Sequence, residues 1–185
     1  MKNFCLKVFL LCCALLTVSL APRAQNKQCP TYTTAAKLVV TKLKVSEGET
    51  FDVRGKATFT LVAANSDDSL AGTITYTLPE DARAKIAQIT GKPLAQIPQS
   101  ITQTDVVGQL QKGTTCPVVN LDFPAMDVTV AGAKVHFNRY VLSIKEGEHE
   151  VALYVCTIAR QLSNGRAIRG PVRRINEILN CIDSQ

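Results

Sequence analysis

The chain has 185 residues, a formal charge of +6 at pH 7, two histidines and no tryptophan. No apolar run after the first twenty residues approaches the about 18 residues of a membrane span. No Cys-x-x-Cys pair supports a zinc site or a thioredoxin-like redox motif, and two histidines leave little material for acid–base catalysis.

In chain order, residues 1–24 read as a signal peptide. Lys2 and Lys7 supply the positive start and Val8 to Leu20 an uncharged apolar run too short to span a bilayer. Cleavage fits after either Ala21 or Ala24. A lipid-anchored alternative is disfavoured, because Asn26, Lys27 and Gln28 precede Cys29 instead of small residues. Removing residues 1–24 takes away Lys2, Lys7 and Arg23 and no acid, so the charge falls to +3. The product is expected to be secreted or periplasmic. The absence of any Asn-x-Ser/Thr acceptor leans towards a bacterial exported protein. The remaining Cys29, Cys116, Cys156 and Cys181 predict two disulfides. Spacing leaves three pairings open, of which Cys29–Cys116 with Cys156–Cys181 is the one expected.

Residues 25–36 form an extended lead-in and residues 37–185 a β-rich domain. Val39, Thr41, Leu43 and Val45 alternate against lysines in a first strand. Phe51, Val53, Gly55, Ala57, Phe59, Leu61 and Ala63 alternate with mostly polar residues in a longer one, the cleanest pattern in the chain. After the turn residues Asn65 to Ser69 the alternation resumes with Leu70, Gly72, Ile74, Tyr76 and Leu78, so these segments make a meander with one apolar face. Pro79, two acids, then Ala82, Ile86 and Ile89 before Gly91 predict a helix, continued less regularly to Ile101. Strands follow over Gln103–Gln111, Val118–Phe123, Met126–Val130 and Lys134–Ile144, the last with a bulge near Asn138–Arg139. Glu150–Leu162 reads as a central strand apolar on both faces. Asn164–Gly165 predicts a hairpin into a short strand, Arg166–Arg169. Gly170–Pro171 opens a terminal helix whose buried stripe is Val172, Ile175, Ile178, Leu179 and Ile182. The fold class is therefore mainly β: an antiparallel sandwich or barrel of about eight or nine strands with a mid-chain and a C-terminal helix. The missing tryptophan sets it apart from lipocalin-like barrels and immunoglobulin-like sandwiches.

Candidate functional residues are few. His136 lies on the polar phase of a strand and His149 in an acidic turn; neither has a serine elbow or a nucleophilic cysteine beside it. Glu146, Glu148 and Glu150 around His149 lack the spacing of a cation-binding loop, so no metal and no cofactor is expected. The outward threonines Thr58, Thr60, Thr73, Thr75 and Thr77 read as strand formers on a wet face. Arg160, Arg166, Arg169, Arg173 and Arg174 form a basic span suited to anion binding, to a lipid headgroup or polysaccharide. Without interleaved aromatics that span does not suit nucleic acid. Large and small residues alternate on the inner sheet face, so Phe51, Phe59, Tyr76, Ile86 and Ile89 are the candidates to line a ligand cavity under residues 79–101. The functional expectation is an exported, non-enzymatic binding or structural module that recognises a protein or a small apolar ligand. The alternatives are a carrier using that cavity and a hydrolase using His136 or His149.

Overall fold

The structure is a computed structural model, and it describes residues 29–46, 49–111, 113 and 116–181. The expected signal peptide, the first lead-in residues, Glu47–Gly48 and Ile182 lie outside the described residues. Among the described residues nine strands form: β1 (Tyr32–Thr33), β2 (Lys37–Ser46), β3 (Glu49–Ala64), β4 (Ser69–Thr77), β5 (Ser100–Leu110), β6 (Val118–Phe123), β7 (Met126–Val130), β8 (Ala133–Phe137) and β9 (Tyr140–Lys145). Three α-helices accompany them among the described residues: α1 (Glu80–Thr90), α2 (Glu150–Ser163) and α3 (Arg169–Leu179). The class is the expected one, mainly antiparallel β in a curled sheet with few helices.

All the ladders are antiparallel, in the order β7-β8-β2-β3-β4-β5-β6-β9, with β1 added to the far part of β3. Strands β6 to β9 are one long bent hairpin. Val118 pairs with Lys145 and Phe123 with Tyr140; beyond a two-residue break on each side, Met126 pairs with Phe137 and Val130 with Ala133, in the same register. The break falls at Pro124–Ala125, where proline cannot donate to a ladder, and at Asn138–Arg139; the bulge expected there is instead a symmetric interruption that leaves the register unchanged and divides residues 134–144 into two strands. Because the upper half of the hairpin joins β5 and the lower half joins β2, this hairpin closes the curled sheet on itself. Helix α1, inserted between β4 and β5, covers one end and packs towards β8; α2 and α3 cover the other, against β6, β9 and β3. The Asn176 side chain ties α3 to the wall: its Oδ1 accepts from the Ala64 N–H at 2.8 Å and its Nδ2 donates to the Ala64 carbonyl at 3.0 Å.

The interior is built from rings laid on glycines. A Cβ at Gly72 would strike the Thr60 carbonyl and stand 2.7 Å from the Phe59 ring; at Gly108 it would stand 2.7 Å from Phe123; at Gly55 it would meet Tyr76 and the Thr77 carbonyl. Phe59 packs on Phe123 at 5.1 Å, Phe123 stacks on Tyr140 at 5.3 Å, and Tyr76 meets Phe137 edge-on at 4.9 Å. The Tyr76 hydroxyl lies among Thr41 Oγ1 at 3.3 Å and the carbonyls of Val53 and Val39 at 3.3 and 3.4 Å. An alternation of large and small residues is thus what lets aromatic rings fill the barrel at interior density.

Three expectations are corrected. Residues 150–162 are helix α2, not a central strand: Val151, Ala152, Val155, Cys156, Ile158 and Ala159 recur on one buried helical face, while Leu153, which alternation would bury beside them, is 45% exposed. Arg166–Arg169 is no strand; Gly165 takes a left-handed φ of 62° at the end of α2, and Arg169 already opens α3. The disulfides are Cys29–Cys181 and Cys116–Cys156, with Cα separations of 5.3 and 5.5 Å. With Cys156 on a helix across the barrel end, it faces the β5–β6 connection that carries Cys116, leaving Cys29 beside the last turn of α3. Two disulfides suit an oxidising compartment, and no helix among the described residues is long and apolar enough to cross a membrane.

Candidate functional site

The break in the long hairpin decides where the surface becomes unusual. β6 pairs with β5 at Gln109 and Leu110 alone, after which the hairpin swings away to join β2. Among the described residues, β5 from Ser100 to Gly108 has β4 on one side only, and β7 has only β8. Two strand edges with unused backbone donors and acceptors therefore face one groove of about 360 Å³, with Gln103 to Val107 on one wall and Pro124, Met126 and Asp127 on the other. The β5 wall is bulged: Gly72 pairs with Val106 but Ile74 with Gln103, and Asp105 sits at φ +57°. Gln103 stands opposite the buried Ile74 yet is itself exposed. The barrel wall is open there.

Around the corner, on the outer face, charged groups line up across four strands. Asp127 on β7 is opposite His136 on β8, His136 is opposite Lys42 on β2, and Lys42 is opposite Asp52 on β3. Directly opposed residues share a face, and the row borders a groove of about 530 Å³ that Lys44, Lys134, Thr50 and Thr129 also line. His136 Nδ1 lies 2.7 Å from Asp127 Oδ1, with side-chain exposures of 44% and 79%. A carboxylate on one ring nitrogen orients the imidazole, but the hydroxyls that line this groove among the described residues are those of Thr50 and Thr129. At the break itself, Arg139 binds Asp122 and holds its carboxyl below the usual carboxylate range.

The remaining candidates fall in separate places. His149 caps α2, its Nδ1 accepting from the Val151 N–H at 3.1 Å, and its ring lies 5.6 Å from that of Tyr32. The Tyr32 hydroxyl is buried, and burial together with the nearby Glu148 carboxylate pushes it up to about 12. Glu150 reaches Arg174 at 3.6 Å. Glu146 lies close to the sulfurs of Cys116 and Cys156, which the disulfide occupies. Of the arginines, Arg160 lies in the last turn of α2, Arg166 between the helices, Arg169 opens α3, and Arg173 and Arg174 pair with Glu177 at 3.4 Å. The threonine row is outward, with Thr58 opposite Thr75 and Thr60 opposite Thr73. Phe59, Tyr76 and Ile86 are fully buried, while Phe51 and Ile89 are half-buried against the core.

Sequence reading named His136 but missed Asp127, Lys42 and the β5–β7 groove. The only local signals were Pro124 and the failure of Thr104 to continue the inward phase of β5. Comparison with protein families, characterised proteins and solved structures finds no match for this chain.

Proposed function

We propose that this is an exported interaction module that recognises its partner through the outer surface around β7 and carries out no chemistry of its own. The observation that supports it most is the contrast between inside and outside: the inner positions next to Gly55, Gly72 and Gly108 are occupied by rings, whereas unused strand edges and the Asp127–His136–Lys42 row meet at one outer corner. Two disulfides fit a scaffold that works after export. The test is a photo-crosslinking residue at Thr129, compared in the native exporting cell with the same residue at Thr157 on α2. One discrete partner captured from Thr129 alone, and lost on Lys42→Glu with Lys134→Glu, supports the reading; equal or absent capture at both positions refutes it. A carrier function would be seen as saturable uptake of an apolar fluorophore that changes Phe59 or Tyr76 signals.

The 2.7 Å Asp127–His136 pair favours one second reading, hydrolysis with His136 as base. Turnover of ester, phosphoester or glycoside probes that His136→Ala and Asp127→Asn both abolish would establish it in place of the first.

A further inference from the structure

We propose that the β5–β7 groove binds an extended peptide strand, with basic side chains flanking a short apolar stretch, that inserts between the two strand edges and completes the barrel wall. The inference rests on the interaction-module reading and names the kind of partner. A strand hydrogen-bonds at about 4.8 Å on each side, and the groove offers unused backbone on both: β5 over Ser100–Gly108 and β7 over Met126–Val130. No ladder joins these two strands among the described residues. Such a peptide gains main-chain bonds from both walls, and its alternate side chains supply specificity.

The groove also sets the chemistry of those side chains. Inward-pointing ones meet the half-buried Val106 and Met126, so they are small and apolar. Outward-pointing ones meet Asp105 and Asp127, both exposed; Asp105 has no ion-pair partner among the described residues, and Asp127 has only His136. Two carboxylates on opposite lips select lysine or arginine and repel acidic strands. The bulge and the left-handed Asp105 match the way free edges are kept from pairing indiscriminately.

The probe is a fluorescein-labelled nine-residue peptide of alternating Val and Thr with Lys at both ends, read by anisotropy on the full oxidised chain. Binding is expected to weaken about tenfold when the terminal Lys residues become Glu. N-methylation of either alternate set of amides should abolish it, because an inserted strand uses both. Asp105→Asn tolerates the left-handed backbone and should weaken the Lys-ended peptide severalfold while strengthening the residual binding of the Glu-ended one, because one repelling carboxylate is gone. Amides of Gln103–Val107 and Asp127–Thr129 should gain hydrogen-exchange protection together. No binding, indifference to N-methylation, or protection elsewhere overturns the inference. So does a chain that dimerises with the same amides protected in the absence of peptide. Capture from Thr129 alongside a failed peptide would sink the strand insertion and leave the interaction module standing.

Discussion

The β3–β4 wall and the β5–β7 gap are parts of one barrel and solve closure in opposite ways. Between β3 and β4 the backbones come together because Gly72 and Gly55 have no side chain where Phe59 and Tyr76 lie. Between β5 and β7 the walls are Gln103 to Val107 on one side and Pro124, Met126 and Asp127 on the other, Pro124 turns the hairpin away, and Asp105 bulges the facing edge. Tight closure needs complementary sizes at each crossing. Where they are lacking, the wall opens and the exposed backbone becomes available to another molecule.

Substitutions that enlarge one region and leave the other alone give the largest contrast. Gly72→Ala drives a Cβ into the Thr60 carbonyl and the Phe59 ring, and should cost about 3 kcal/mol or more in denaturant unfolding. Asp105→Gly, in the gap, should stay within about 0.5 kcal/mol. Equal costs would mean that the gap is packed as tightly as the wall.

The disulfide that ties the β5–β6 connection to α2 has an effect of comparable size. Cys116→Ser with Cys156→Ser frees a loop of 40 residues and should lower stability by about 4 kcal/mol in the chain-entropy account. Peptide mapping of the native chain should recover Cys116 linked to Cys156 and Cys29 to Cys181; any other linkage would put α2 elsewhere.

Alkali probes the closed regions. Tyr32 is raised to about 12 by burial and by Glu148, and burial also raises Tyr76 and Tyr140. Each folded-state value lies above the unfolded value near 10, so the stability these groups contribute is complete below pH 10. It is lost as the pH rises through their folded values. For Tyr32 alone the loss is about 2 kcal/mol between pH 10 and 12. Unfolding followed by tyrosinate absorbance should therefore be cooperative in that window. Gradual titration with the fold retained would contradict the burial of these rings. Asn176→Ala, which unpairs both backbone groups of Ala64, should cost about 1 to 2 kcal/mol by thermal melting.

The strands were readable because a half-buried sheet writes its faces into the residues with period two, and β2 to β4 keep that period for most of their length. The exception is Val62, where a register shift between Leu61 and Ala63 moves burial from Ala63 to Ala64. Helix α2 was misread because β-branched and aromatic residues among Val151, Tyr154, Val155, Thr157 and Ile158 mimic a strand. The pairs Val151–Ala152, Val155–Cys156 and Ile158–Ala159 carried the helical period. That single error also misdirected the disulfides, since the expected Cys156–Cys181 pairing assumed that Cys156 lay in a central strand. The candidate site was mostly hidden: which strands share an edge depends on the hairpin break, and nothing local to Asp127 or Lys42 announces that they share a row.

The Cys29–Cys181 bond makes the stretch between these residues a covalent ring. Tension applied to the chain before Cys29 and after Cys181 passes through two sulfur atoms and bypasses every strand in between. The barrel is mechanically shunted: it can be tethered or pulled by its ends without its ladders bearing the force, and only reduction transfers that load to the fold.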